Sequence, residues 1–215
     1  MPFRIFIVDD HALVREGLVG LLSTQADFEV CGQATSAAEA RSLIDGLAAD
    51  VAIIDLALQD GNGIELIKEF KRNHDSLKML VLSMHDETLF AERALRAGAV
   101  GYVGKNEASR TIIQAIRHVL QGQVYLSPRM TERMLQRAVG AQTDLKRSPI
   151  ERLSDREMEV FQMVGQGMTS RQIARCLQLS PKTVDTHREH IKSKLELKNG
   201  SELTRHAVQW LLESR

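Results

Sequence analysis

Apolar and polar positions change their period twice along the chain, and the changes mark out its parts. Between residues 3 and 122, short apolar runs alternate with segments whose apolar residues recur every three to four positions. FRIFIVD, FEVCGQA, DVAIID, KMLVLS and AVGYVGK read as strands. HALVREGLVGLLS, SAAEARSLIDGLA, NGIELIKEFKRN, ETLFAERALRAG and ASRTIIQAIRHVLQG read as helices between and after them. Five strands and five helices in strict alternation predict an α/β domain, a five-stranded parallel sheet with helices on both faces. Continuous apolar runs such as VAII and MLVL suit strands with no wet face.

After Gly122 the alternation stops. MTERMLQRAV has a helical period, and GAQTDLKRSP has none, so residues 123–149 read as a partly helical linker. From Leu153 onward every signal is helical: SDREMEVFQMVGQG, TSRQIARCLQ, SPKTVDTHREHIKSKLEL and SELTRHAVQWLLES. Each opens on Ser or Thr, a favoured N-cap, and Ser154 with Glu157 has the capping-box spacing. The last part, residues 150–215, is a small all-α domain, with Trp210 read as core.

Length and composition agree with this division. The chain has 215 residues, 43% hydrophobic and 26% charged, which fits two small soluble domains. No apolar run reaches the roughly 18 residues of a membrane span, and the N-terminus lacks the pattern of a signal peptide. Two cysteines placed in different domains argue against a disulfide framework or a zinc site and fit a reducing, cytoplasmic setting. The net charge of zero hides an asymmetry. Residues 1–125 hold 12 Lys and Arg against 17 Asp and Glu, net −5; residues 126–215 hold 16 against 11, net +5. An acidic half points to a cation and a basic half to a polyanion.

Ligands of an open α/β sheet bind beyond the carboxyl ends of its strands. Those ends carry Asp9 and Asp10 on the first strand, Asp55 on the third, Ser83 on the fourth and Lys105 at the fifth. Three carboxylates at one rim repel each other unless a hard divalent cation such as Mg2+ lies between them. With a cation and an ammonium beside it, a carboxylate can attack a phosphoryl group and carry it as an aspartyl phosphate. A strand-end Asp alone is commonly just the cap of the next helix. All five groups in this order are not expected by chance.

The second candidate lies in TSRQIARCLQLSPKTVDTHREHIKSKL. Thr169 to Gln178 reads as a short helix, Leu179 and Ser180 as a turn, and Pro181 as the first residue of a second helix. Ile173, Ala174, Leu177, Val184, Ile191 and Leu195 form an inner stripe. Lys182, Arg188, Lys192 and Lys194 are candidates for phosphate contact, Asp185, Thr186, Arg188 and Glu189 for base reading, and Thr183 lies on the same outer, DNA-binding face. The bland alternative is a charged amphipathic helix on a small bundle.

Residues 1–122 resemble the receiver domain of two-component response regulators, in VDDH, IIDLAL, LS and GYVGK. Residues 150–215 look like the LuxR-type helix–turn–helix, in LSDRE, GQGMTSRQIA and SPKTVDTHREHIKSKL. Together they resemble NarL/FixJ-type response regulators over almost the whole chain. The resemblance implies a flavodoxin-like sheet, Asp55 as phosphoacceptor, Ser83 and Tyr102 as switch residues and Lys105 as phosphate partner. It implies Mg2+ held by Asp9, Asp10, Asp55 and the backbone carbonyl of Ala57. It further implies a sensor histidine kinase and DNA as partners, and a homodimer in which the last helix forms a contact. The expected role is transcriptional regulation, not enzymatic turnover: a phosphatase of similar architecture needs an acid two residues after its nucleophile, where Ala57 stands. Leu58 and Gln59 replace the family's frequent Met-Pro, Gly63 is kept, and Ala57 and His85 occupy positions that tune dephosphorylation. Asp185 and Glu189 stand where a basic or neutral residue is usual, so the operator sequence does not carry over.

Overall fold

The computed structural model describes residues 1–58, 60–85, 87–139, 149–177 and 179–213. The chain forms two compact units, Met1–Leu135 and Gln136–Arg215. Most of the polar stretch GAQTDLKRSP lies outside the described residues, as do Gln59 and Gln178.

The first unit carries the predicted alternation. Its main strands are β1 (Phe3–Val8), β2 (Phe28–Ala34), β3 (Val51–Ile54), β6 (Lys78–Ser83) and β7 (Gly101–Gly104), all parallel in the order β2-β1-β3-β6-β7. Helices α1 (Ala12–Ser23), α2 (Ala37–Leu47), α3 (Gly63–Asn73) and α4 (Glu87–Ala97) are the crossovers, and α5 (Ala108–Leu120) follows the last strand. Ile5, Ile7, Val51, Ile53, Leu80 and Leu82 on one face of the sheet pack with Leu18, Leu22, Ile112, Ile116 and Val119. Removing such side chains from water contributes about 1.5–3 kcal/mol each. The strand order reverses at β1 and β3, which opens the crevice where ligands bind in doubly wound sheets.

Two features were not expected. Ala57–Leu58 (β4) and Gly61–Asn62 (β5) form a tiny antiparallel hairpin just after β3. Two-residue strands are too short to display a period of two. Asp60 in that hairpin accepts the N–H groups of Ala37 and Ala38 at 2.7 and 2.8 Å, tying the loop to the start of α2. The second feature begins the linker. Tyr125 donates its N–H to Val100 at 3.1 Å and accepts that of Tyr102 at 2.9 Å, so the chain returns along β7. The Ser127 N–H then donates to Glu87 Oε1 at 2.8 Å, and Ser127 Oγ caps α6 (Pro128–Ala138) through the Met130 N–H at 3.2 Å.

The second unit contains a 3-10 turn (Pro149–Arg152), α7 (Asp155–Gly165), α8 (Ser170–Cys176), α9 (Pro181–Lys194) and α10 (Gly200–Glu213). Ser154 and Glu157 form the expected capping box, Thr169 forms another with Gln172, and Ser180 caps α9 ahead of Pro181. Thr169 and Leu177 are the caps of α8, so that helix is shorter than its pattern predicts. Ser201 is not the cap of the last helix; Asn199 Oδ1 takes the Glu202 N–H at 2.9 Å, and α10 starts at Gly200. Ile173, Ala174, Val184, Ile191 and Leu195 are buried. Trp210 is half-buried, its ring 5.6 Å from that of Phe161. Among the described residues no helix is long and apolar enough to cross a membrane.

Candidate functional site

The rim of the first unit gathers the groups that its strand ends predict. β1 delivers Asp9 and Asp10, β3 delivers Asp55, and the end of β7 delivers Lys105. Asp9 is 1% exposed and Asp55 2%. The Lys105 ammonium, its side chain 6% exposed, lies 2.6 Å from Asp55 Oδ2 and 2.7 Å from Asp9 Oδ2. It is aligned to donate to Asp55 but not to Asp9, so Asp9 Oδ2 is a buried oxygen without a directed donor. Asp10 Oδ1 is a second such oxygen. Asp9, Asp10, His11 and Asp55 each place one ligand atom within 4.8 Å of the others, an arrangement able to hold a metal ion.

Burial pushes the Asp55 carboxyl above its ordinary range, against the lowering pull of Lys105, and Asp9 pushes it further up. Burial alone draws the Lys105 ammonium down, but Asp55 and Asp9 outweigh it and hold its pKa above the ordinary value. The lysine therefore stays charged, while the carboxylates remain incompletely neutralised. One ammonium, 2.6 Å from Asp55 and 2.7 Å from Asp9, does not neutralise three acids. A hard divalent cation fits this donor set.

Ser83 is fully buried; its carbonyl accepts the Lys105 N–H at 2.9 Å and its hydroxyl the His85 N–H at 3.3 Å. Tyr102 is 1% exposed, with its phenol donating to the His85 carbonyl at 2.8 Å. The ring thus already lies inward. His85 stacks on Phe90 at 4.7 Å between centroids, and burial together with the Lys105 charge holds its imidazole down at about 4, neutral at physiological pH. Ala57 is exposed at the hairpin, and its N–H donates to Asp55 Oδ1 at 3.3 Å. His11 was part of the motif but received no role from its sequence. Its placement beside the three acids is legible only in three dimensions.

In the second unit, Lys182, Asp185, Thr186 and Glu189 are exposed on α9, and Thr183, Arg188, Lys192 and Lys194 are half-buried. They are not equally available. Lys194 reaches back 2.6 Å to the buried Glu157, and Lys192 pairs with Glu189 at 2.9 Å. Asp185 accepts from Ser170 Oγ at 2.7 Å, bracing α8 against α9. Lys182 and Arg188 make no ion pair with a described residue. Glu157 was unforeseen as anything but a cap. It also accepts the Ser154 N–H at 2.7 Å. Burial would raise its carboxyl, but the Lys194 and Ser154 bonds prevail and hold it below the usual range.

A depressed carboxyl contributes stability above its unfolded value and loses it as pH falls through its folded value. The second unit is therefore expected to soften as pH drops below the ordinary 4.5 of Glu157. Glu157→Gln is expected to cost about 1.5–3 kcal/mol at neutral pH and to flatten that acid dependence, read by Trp210 fluorescence in urea. An unchanged midpoint would assign the pair no structural weight.

The family described as the response regulator receiver domain matches residues 5–117, and that described as bacterial regulatory proteins, luxR family, matches residues 151–207. The chain belongs to the two-component response regulators of NarL/FixJ type, with a receiver domain and a LuxR-type DNA-binding domain. It is 34% identical to the oxygen regulatory protein NreC of Staphylococcus carnosus over 96% of this chain and 97% of that protein. It is 34% identical to the response regulator GacA of Pseudomonas viridiflava over 96% and 95% of the two chains. Among solved structures it is similar to RcsB from Salmonella enterica serovar Typhimurium bound to promoter rprA in the presence of the phosphomimetic BeF3-. That likeness has a TM-score of 0.68 and 26% identity, covering 97% of this chain and 99% of the other.

Proposed function

We propose that the protein is a phosphorylation-controlled transcriptional regulator of the cytoplasm, receiving its phosphoryl group from a sensor histidine kinase. Domain boundaries near residues 122 and 150 would separate the receiver, the linker and the DNA-binding domain. An Asp55 carboxylate oxygen attacks phosphorus, the bond from phosphorus to the donor breaks, and the donor leaves with that electron pair. The product is an acyl phosphate on Asp55. Lys105 neutralises one phosphoryl oxygen and the Ser83 hydroxyl donates to another. Asp9, Asp10, Asp55 and the Ala57 carbonyl would hold Mg2+, whose chemistry there is to offset the charge of the incoming group. The observation that carries this reading is the single ammonium shared by the buried Asp9 and Asp55 at a rim that also holds Asp10.

Phosphorylation would stabilise the inward arrangement of Ser83 and Tyr102 and so bias the face formed by α4 and β7 toward dimerisation or altered domain docking. A homodimer would place two copies of α9 in successive major grooves about one helical turn apart. Lys182 and Arg188 would make the principal phosphate contacts, with Lys192 and Lys194 secondary because each already has a carboxylate partner. Thr183, Asp185, Thr186, Arg188 and Glu189 would face base edges. That RcsB has been captured on promoter DNA and as two dimers on two DNAs supports this reading by analogy.

The test is phosphoryl uptake from a small radiolabelled phosphodonor with Mg2+, followed by a mobility shift on promoter DNA. Uptake is expected in the native chain and to be absent in Asp55→Asn, with tighter DNA binding only for the labelled protein. Labelling that survives the substitution would refute the assignment of Asp55.

A further inference from the structure

The segment after α5 is tied to the two elements that carry the switch residues. Tyr125 accepts the Tyr102 N–H at 2.9 Å and donates its own to the Val100 carbonyl at 3.1 Å. Its ring packs edge-on against that of His118 on α5, 5.6 Å between centroids. β7 leaves room for this close approach: a Cβ at Gly101 would lie 3.0 Å from the Tyr125 carbonyl oxygen. Two residues on, the Ser127 N–H donates to Glu87 Oε1 at 2.8 Å, across 40 positions of sequence.

An acid in the first turn of a helix is ordinarily explained by the helix dipole. Glu87 opens α4, yet its carboxylate is engaged by a backbone amide of another segment. That amide belongs to the residue that starts α6. Ser127 Oγ accepts the Met130 N–H at 3.2 Å, and the Ser127 carbonyl accepts the Thr131 N–H at 2.9 Å. Met130, in that first turn, is fully buried. Glu87 also lies two residues beyond His85, whose carbonyl accepts the Tyr102 phenol at 2.8 Å. Tyr102 thus bonds through its side chain to the loop that leads to Glu87 and through its backbone to Tyr125. Loop, ring and segment close a circuit, and an outward swing of the ring would break the His85 bond and release the loop from β7.

We propose that residues 125–127 are a strap that reads the position of Tyr102, with Glu87 as its clasp. The clasp is closed while the ring lies inward and opens when the ring swings out. The proposal rests on phosphoryl uptake at Asp55 and deepens it: phosphorylation that favours the inward ring tightens the start of α6, the root of the linker. By reciprocity a closed clasp favours the inward ring to the same extent.

The test is hydrogen exchange of the full chain, with and without a small phosphodonor and Mg2+, read on peptides covering residues 125–131. Uptake is expected to slow exchange of these amides about fivefold in the native chain, the scale of one bond to a charged group. Glu87→Ala is expected to remove that response while Asp55 is still labelled. Glu87→Gln keeps an acceptor oxygen and should restore part of it, because a neutral acceptor makes the weaker bond. A fixed staple behaves otherwise: Glu87→Ala would speed exchange equally in both states, and that result overturns the strap. Labelled native protein whose 125–131 amides do not respond overturns it too. Tyr102→Phe tests the circuit without phosphate. Loss of the phenol oxygen should speed exchange at Ser127 and Met130 about threefold, and add nothing to Glu87→Ala. Independent, additive effects of the two substitutions overturn the strap whatever happens at Asp55. A native chain that takes up no phosphoryl group overturns the Asp55 reading, while non-additive effects of the two substitutions would still uphold the coupling of Tyr102 to the clasp.

Discussion

Lys105→Met is expected to destabilise the receiver unit by about 3–5 kcal/mol at neutral pH, the cost of leaving buried charge without its partner. The ammonium it removes is the closest cation to both Asp9 and Asp55, which are almost wholly buried. The loss should depend on pH in a defined sense. Asp55 is already raised above its ordinary 3.8 by burial, with Lys105 opposing the rise; without the lysine it rises further. A carboxyl raised on folding costs stability above its folded pKa, and that cost vanishes as pH falls toward the unfolded value. The variant should therefore regain native stability on acidification toward pH 4, and partly at neutral pH when a divalent cation is added. Peptide-resolved hydrogen exchange of β1, β3 and β6 checks this. Protection equal to that of the native chain at neutral pH would mean the carboxylates are neutralised by other means.

Gly63→Ala is expected to cost about 3 kcal/mol and to suppress phosphoryl uptake by displacing the loop after β3. An added Cβ would lie 2.2 Å from the Asp55 carbonyl oxygen and 2.7 Å from Leu56 Cα, both backbone atoms that cannot swing aside. The demand is for space rather than for an unusual backbone angle. Gly63 opens α3 directly after the β4–β5 hairpin, and its N–H donates to the Leu56 carbonyl at 3.0 Å, so the helix start is pressed against the Asp55–Leu56 segment. Gly17, in the exposed part of α1 with nothing near its would-be Cβ, is the control: Gly17→Ala should add up to about 1 kcal/mol. Equal melting curves for the Gly63 variant and the native chain would show that the loop yields freely.

The strands of the receiver were readable because buried parallel strands write themselves as unbroken apolar runs, and their carboxyl ends were readable with them. Asp9, Asp10, Asp55 and Lys105 meet because the topology brings strand ends to one rim, whatever the details of packing. Features that escaped depend on contacts distant in sequence or on segments too short for periodicity. The β4–β5 hairpin has two residues a side, and the capping of the last helix by Asn199 instead of Ser201 turns on a single hydrogen bond. The inward Tyr102 and the cross-helix partner of Lys194 are likewise set by tertiary neighbours. His11 illustrates the boundary well: its type and neighbours are plain in VDDH, but only the turn before α1 shows where the imidazole goes.

The return of the chain along β7 changes what a proteolytic nick would do. Tyr125 and Ser127 spend their backbone groups on Val100, Tyr102 and Glu87. A cut between Gly122 and Val124 would let that segment peel away and bare the Tyr102 N–H and the Val100 carbonyl at the outermost strand. Unguarded rims of this kind recruit foreign strands, so a fragment trimmed to the tidy end of α5 would be stickier than one that keeps the next few residues.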